Sequence, residues 1–424
     1  MLEQILSRWN IDKALEQVMR NKGAGGIDGM QTDELRDYLN ANWQSLRAKI
    51  LEGSYKPSPV KKVEIPKPQG GTRMLGIPTV LDRLLQQAIS QWLMPKYEEQ
   101  FSNYSYGFRP HRNCQQAVMQ AQAYLNEGRS WVIELDLEKF FDKVNHDRLM
   151  SVLSKTVKDK PSLKLIRGYL TSGIMEGGIV SQRVEGTPQG SPLSPLLSNI
   201  VLDEYDKELE ERGHAYVRYA DDCSIYVRSE KSAKRVAESI IKYIEGKLLL
   251  KVNREKTKIS RPNESTLLGF SFFKTKEGWE IRIADKSVGR ITERVKGITG
   301  RSKGTSEHEK IGELQAVING WVNYFIIARA KTVMQDLDRL VRVRLRICQW
   351  KVWKKPVTRI RNLLKLGVSK QKAYEWGNSS KGYCRIAHSP ILQTTLNNKI
   401  FTKRGYKGFY NTYHGKAEAQ LPLF

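Results

Sequence analysis

The sequence predicts an α+β protein, with short strands interleaved among helices over the first two thirds and a basic, all-helical remainder. Apolar residues recur at helical spacing over residues 1–50 and 80–94, and compact β-rich runs occupy 55–78, 131–136 and 216–227. Beyond about residue 285 the spacing is helical again, with scattered tryptophans. The 424 residues exceed one ordinary core, so two or three packed subdomains are expected.

In chain order, Leu2, Ile5, Leu6, Ala14, Leu15 and Val18 set an apolar rhythm that breaks at Gly23-Ala-Gly-Gly26, and a second begins at Leu35. Residues 55–78 combine short β-like runs with Pro57, Pro59, Pro66 and Pro68 around Gln69-Gly70-Gly71, the pattern of a hairpin with a basic tip. Leu81, Leu84, Leu85, Ala88, Ile89, Trp92 and Leu93 predict a helix closed by Pro95. Residues 131–136 suit a buried strand with Asp136 at its end, and Asn145 caps the start of another helix. Ser194-Pro195 predicts a helix with serine as N-cap and proline at its first position, running to Gly213. Tyr216 to Val227 reads as a tight hairpin with Asp221 and Asp222 at its tip. Further on, Leu340, Val343, Ile347 and Trp350 share one helix face while Arg339, Arg342 and Arg346 share another.

Charge narrows the function. Lysine and arginine total 71 against 45 acids, a net +26, which points to a polyanion, nucleic acid above all, as partner. The excess is concentrated: residues 285–424 hold 28 basic and 9 acidic side chains. A composition of 40% hydrophobic and 27% charged residues argues against global disorder. Cys114, Cys223, Cys348 and Cys384 form no CxxC pair, so neither a disulfide framework nor a zinc cluster is indicated. No signal peptide is recognised, no run approaches the roughly 18 apolar residues of a membrane span, and a reducing cytosol is expected.

Asp136 and Asp221-Asp222 lie 85 residues apart, yet both fall where a sheet presents acids at one edge. Adjacent carboxylates repel, and a divalent cation is the natural compensation. Nucleotidyl transfer uses such acids to hold two Mg²⁺ ions about 4 Å apart, one activating the attacking 3′-hydroxyl and one holding the triphosphate. An isolated Asp-Asp pair is more often only a turn.

The surroundings point away from that plain reading. Tyr219-Ala-Asp-Asp222 resembles the motif C box of reverse transcriptases, and Asp136-Leu-Glu-Lys-Phe-Phe-Asp142 resembles their motif A. Tyr106-Gly-Phe-Arg-Pro110, Gly186-Thr-Pro-Gln-Gly190 with Ser191-Pro-Leu-Ser-Pro195, Val252-Asn-Arg-Glu-Lys-Thr-Lys258 and Leu268-Gly-Phe270 resemble the second, fourth, sixth and seventh blocks, in order. The resemblance implies a right-hand polymerase with an antiparallel palm sheet, fingers and palm spanning 51–283. It implies Asp136 and Asp221 as principal metal ligands, with Asp222 beside them, the Leu137 carbonyl contributing, and Mn²⁺ able to replace the two Mg²⁺. Phe141, five residues after Asp136, resembles the steric gate against ribonucleotides. Gln189 resembles the residue that contacts the incoming sugar. Lys67 and Arg73 suit the triphosphate, and Lys256 or Lys258 the protonation of pyrophosphate. Ser191 stands where many intron-encoded relatives have a second glycine.

The flanks narrow the family. Asn21-Lys-Gly23, Gly26-Ile-Asp-Gly29, Ile318-Asn-Gly-Trp-Val-Asn-Tyr-Phe325, Arg342-Val-Arg-Leu-Arg346 and Trp350-Lys-Val-Trp-Lys354 resemble group II intron-encoded proteins. Cys384, His388 and His414 do not form the cluster of an HNH endonuclease, which resembles the compact bacterial form without that domain. The implied organisation is a helical extension over 1–50, fingers and palm over 51–283, a thumb or maturase domain over 284–363, and a basic DNA-binding-like segment over 364–424 that includes Lys403, Arg404 and Lys407. The implied function is RNA-directed DNA synthesis coupled to binding of intron RNA for splicing and mobility. Partners would be group II intron RNA, an RNA template with a DNA primer, target DNA and dNTPs, with no membrane, in the bacterial cytosol or nucleoid. RNA would engage Arg339, Arg342, Arg344, Arg346, Trp350, Lys351 and Lys354, with Trp321, Tyr324 and Phe325 in the core and Trp353, like Trp350, left between core and stacking. Two alternatives stay open: a splicing cofactor with a vestigial polymerase, and a host-adopted reverse transcriptase in DNA repair or defence.

Overall fold

The computed structural model describes residues 1–66, 70–176, 178–182, 185–188 and 190–420. The chain forms two compact units, residues 1–261 and 262–424. In chain order the strands are β1 (Val60–Pro66), β2 (Thr72–Ile77), β3 (Trp131–Leu135), β4 (Ile174–Glu176), β5 (Ile179–Ser181), β6 (Ala215–Tyr219), β7 (Asp222–Val227), β8 (Lys258–Ser260), β9 (Phe270–Lys274) and β10 (Trp279–Ile283). Among the described residues no helix is long and apolar enough to cross a membrane.

The first unit holds two sheets. One has the order β2-β1-β4-β5, with the β1–β2 hairpin read from the sequence at its edge. The other, β6-β7-β3-β8, is antiparallel throughout. Its strands carry Val132, Ile133, Tyr216, Val217 and Ile225 into the core, with helices Cys114–Asn126, Ser194–Glu211 and Glu230–Gly246 packed against it. The apolar rhythm of the first 50 residues becomes helices Leu2–Ile5, Arg8–Asn21 and Leu35–Leu51, and Ile5, Leu6, Ala14, Leu15 and Val18 are all buried.

Two helix boundaries differ from the sequence reading. Helix Val80–Glu98 continues through Pro95. Leu93 and Tyr97 are buried on either side of that proline, and burying each is worth about 1.5–3 kcal/mol, which offsets the roughly 3 kcal/mol an interior proline costs. Helix Ser194–Glu211 starts without a side-chain cap. The Ser194 hydroxyl instead donates to the Pro188 carbonyl at 2.8 Å, tying the helix to the segment before it.

In the second unit the β9–β10 hairpin, read with the palm from sequence, groups with the helices. Phe270, Ile281, Val295, Leu314, Ile318 and Leu345 form part of its core. The C-terminal segment folds onto this unit. Asp338, buried on helix Lys331–Val352, accepts from the Tyr406 hydroxyl at 2.6 Å and from the amides of Phe409 and Tyr410 at 2.7 and 3.0 Å. Gly408, at φ +86°, fits because a Cβ there would come within 2.7 Å of the Asp338 carboxylate.

Candidate active site

The sheet brings the three acids to one edge. The last paired rung between β3 and β7 is Leu135 with Cys223, so Asp136 and Asp222 stand one step beyond it on neighbouring strands. Asp221 shares the two-residue β6–β7 turn with Ala220, which adopts φ +59°. The main chain around Asp136 is pinned from the sixth motif: Asn253 N donates to the Asp136 carbonyl at 2.8 Å and Glu138 N to the Lys251 carbonyl at 2.8 Å. These bonds flank the bridge between Leu137 and Val252 and leave out the Leu137 carbonyl. Lys256 Nζ lies 3.7 Å from Asp136 Oδ2, whereas Lys258 sits in β8 opposite Glu134.

The electrostatics are those of crowded anions. The Asp222 side chain reaches solvent, yet enough protein surrounds its carboxyl that desolvation, followed by the charges of Asp221, Asp136 and Glu134, pushes its pKa up to about 6, opposed by Lys256. Among the described residues no three His, Cys, Asp or Glu side chains have the arrangement of a preformed metal cage. What fits a divalent cation here is the donor chemistry: hard carboxylate oxygens at one sheet edge whose mutual repulsion a cation relieves.

The same unit holds a cleft of about 420 Å³ whose walls include Arg73, Arg83, Phe108, Phe141, Gly190 and Ser191, linked to the acids through Phe141 of the Asp136 motif and through Phe108, next to the Gly107 that packs on Ala220. Phe141 is on the short helix Phe140–Lys143, and its ring meets Phe140 edge-on at 5.3 Å. The fourth motif runs directly against that helix. Thr187 N donates to the Phe141 carbonyl at 2.6 Å and Gly186 N to that of Val144 at 2.7 Å. Gly186 is at φ +85°, and a Cβ there would come within 2.8 Å of the Asp142 backbone, so a side chain is excluded twice over. Ser191, by contrast, needs no glycine: its backbone is not left-handed, and its buried hydroxyl donates to Gln86 Oε1. Lys67 and Gln189, two nucleotide contacts implied by the resemblance, lie outside the described residues.

Sequence reasoning missed three residues here. Arg83 lines the cleft, its pKa lowered by burial and its side chain bonded to the Ala24 carbonyl. Phe108 is exposed in the same cleft. Arg218, fully buried, bonds Asp206 through Nε at 2.7 Å and Nη2 at 2.5 Å, Asn199 Oδ1 at 3.0 Å, Ser105 Oγ at 2.7 Å and the Ala220 carbonyl at 2.8 Å. Burial pushes Asp206 up and Arg218 opposes it, so the guanidinium stays charged. An arginine inside the otherwise apolar run Tyr216-Val-Arg-Tyr219 was the available signal.

In the second unit several expected RNA contacts have other partners. Trp350 and Trp353 are 1% and 3% exposed and pack on each other at 6.1 Å, with Arg359 over the Trp350 ring, so neither presents a face for base stacking. Arg346 is buried and donates to the Leu396 carbonyl at 3.0 Å. Arg344 bonds Thr299 Oγ1 at 2.8 Å, and Lys351 bonds Ser302 Oγ at 3.2 Å. Arg339 is exposed and pairs with Asp336 at 2.9 Å, Arg342 is half-buried and Lys354 is exposed. Arg404, read as part of a DNA-binding segment, donates from Nη1 to both carboxylate oxygens of Glu307 at 2.6 and 2.8 Å. Of the aromatics expected in the core, Phe325 is buried, Trp321 half-buried and Tyr324 37% exposed. Tyr324 keeps its hydroxyl on the Leu268 carbonyl at 2.9 Å.

Comparison with known proteins agrees with this architecture. Residues 65–272 match the family model described as reverse transcriptase (RNA-dependent DNA polymerase), and residues 288–367 match the maturase-specific domain of group II introns. Protein YkfC of Escherichia coli is 34% identical over 301 residues, 61% of this chain and 78% of that protein. The group II intron-encoded protein LtrA of Lactococcus lactis is 34% identical over 195 residues, 46% of this chain and 32% of LtrA. The COX1/OXI3 intron 2 protein of Saccharomyces cerevisiae is 36% identical over 195 residues, 45% of this chain and 22% of that protein. The chain thus spans about a third or less of these two intron-encoded relatives. Two family models in the order polymerase then maturase, over a sheet edge carrying three aspartates, place this chain in the family of group II intron-encoded reverse transcriptases.

Proposed function

We propose that the chain copies RNA into DNA by two-metal nucleotidyl transfer and binds group II intron RNA through its second unit, acting in splicing and in mobility. The observation that carries the reading is the meeting of Asp136 with Asp221 and Asp222, where desolvation and then the neighbouring acids raise Asp222. These carboxylates, with the Leu137 carbonyl, would hold two Mg²⁺, for which Mn²⁺ could substitute. When bound, such ions polarise the attacking 3′-hydroxyl and neutralise the triphosphate.

The chain's own residues do the rest. Arg73, with its planar fork, and Lys67, with its point charge, suit the triphosphate. Phe141 forms the wall that a ribose 2′-hydroxyl would meet, and Gln189 contacts the sugar. Lys256, close to Asp136, is better placed than Lys258 to give a proton to departing pyrophosphate. RNA affinity would come from exposed cations such as Lys354, Lys355, Arg361, Lys365, Lys370 and Lys372.

The test is extension of a DNA primer on an RNA template with Mg²⁺, comparing wild type with Asp221→Ala plus Asp222→Ala at matched folding and RNA affinity. Extension by wild type alone supports the reading. No extension by either, with tight binding of structured RNA by both, would replace the polymerase with a splicing cofactor.

A further inference from the structure

Phe108 combines an exposed side chain with a backbone its neighbours force. Its ring is 44% exposed, and its backbone is left-handed at φ +61°, a conformation that a bulky residue adopts only when its neighbours impose it. Both neighbours do so. Gly107 presses on the β6–β7 turn so closely that a Cβ would lie 2.2 Å from Ala220 N, and its carbonyl accepts from Asn199 Nδ2 at 2.9 Å. Arg109, buried, grips both carboxylate oxygens of Glu98 at 2.7–3.1 Å and the Ser105 carbonyl at 2.8 Å. With 107 and 109 fixed, the ring between them is held at the cleft.

The rest of that cleft is suited to a nucleotide: Arg73 and Arg83 for phosphates, Phe141 as the sugar-side wall. What remains of a nucleotide is its base. An aromatic face binds any base through its π-surface without reading its identity, which a copying enzyme requires at this position. We infer that Phe108 is a stacking platform for a nucleobase at the polymerase site, an inference that rests on the nucleotidyl-transfer reading above. The base belongs either to the incoming nucleotide or to the template strand.

The experiment uses the full chain on an RNA template with a DNA primer, and the variants Phe108→Leu, Phe108→Trp and Phe108→Gly. With the loss of one stacked base, Phe108→Leu should weaken the affected affinity about tenfold while kcat changes less. Phe108→Trp should restore it. Phe108→Gly relieves the left-handed backbone, so it should bind as poorly as the leucine variant with Tm equal to or above wild type, which a structural role would reverse. With a dideoxy-terminated primer, 2-aminopurine placed in the incoming triphosphate or at the templating position should be quenched by wild type and less so by Phe108→Leu. A KM(dNTP) effect with quenching in the first arm assigns the incoming base, and a template-affinity effect with quenching in the second assigns the template base. Wild-type affinity and quenching in Phe108→Leu, with extension intact, overturns the platform and leaves the polymerase standing. Failure of wild type to extend at all overturns both.

Discussion

Arg218 donates from Nη1 to the carbonyl of Ala220 at 2.8 Å, so the left-handed residue that precedes Asp221 is anchored to a buried guanidinium clamped by Asp206. An alanine in that region costs roughly 1–2 kcal/mol relative to ordinary backbone, and a buried, fully bonded arginine supplies the constraint that holds it.

That link predicts a split between stability and activity. Arg218→Met leaves Asp206 buried without its partner and should cost about 3–5 kcal/mol. Adding Asp206→Leu removes the orphaned charge and should recover most of that loss, read as the denaturation midpoint. Primer extension should stay low in the double variant, because the donor to Ala220 is still missing. A double variant that extends at the wild-type rate would show that the acids hold their places without it.

Phe141 predicts a change in sugar selection. Phe141→Val opens the wall beside the sugar, and discrimination against ribonucleotides should fall about 10–200-fold, the range that shape alone provides in a pocket. The ratio of kcat/KM for dNTP and rNTP on one template measures it. An unchanged ratio would remove Phe141 from that role.

Acid should act on helix Lys160–Thr171 through its cap. Burial by itself would raise Asp159, but bonds from the Ser162 hydroxyl at 2.6 Å and amide at 3.0 Å, with the N-terminal ammonium, hold its pKa below the ordinary value. A depressed acid contributes stability above its unfolded pKa of about 3.9 and loses it as pH falls through the folded value. Asp159→Ala should therefore cost about 1 kcal/mol at pH 7, with the difference from wild type vanishing in strong acid. A pH-independent difference would assign the cap's contribution to packing.

In the second unit, charge and core should separate. Replacing Lys365, Lys370 and Lys372 by glutamine should flatten the dependence of RNA affinity on salt by about 0.7 logarithmic units per lost single-strand contact, leaving Tm near wild type. Trp350→Ala should instead cost about 3–5 kcal/mol of stability with the salt slope unchanged. If the tryptophan variant kept its Tm but lost RNA affinity equally at every salt concentration, Trp350 would be a stacking residue after all.

Much of the fold was legible because local pattern and tertiary role coincide. The Asn145 cap does bond Arg148 N at 2.9 Å, and the Asp221-Asp222 hairpin forms where β-rich runs flank a turn. Burial decided the rest. Helical spacing placed Trp350 and Arg346 on different faces, but the packing of later helices covers both, and a periodicity within one helix carries no record of what lies on it. Pro95 failed as a terminator for the same reason, since the residues that keep its helix intact are the buried Leu93 and Tyr97. The three aspartates and Phe141 were readable as parts of motifs. Arg83, Phe108 and Arg218 were not, because their roles arise from segments that meet only in three dimensions.

The close approach of Gly107 to Ala220 limits how such a site can diverge. Any side chain at 107 displaces the turn, any loss at 199 frees the 107 carbonyl, and any change at 218 releases 220. Positions 107, 199, 218 and 220 thus act as one mechanical unit around the turn before Asp221, so that a substitution at one loosens the contacts of the others, while Ser191, bonded to Gln86, stands outside it.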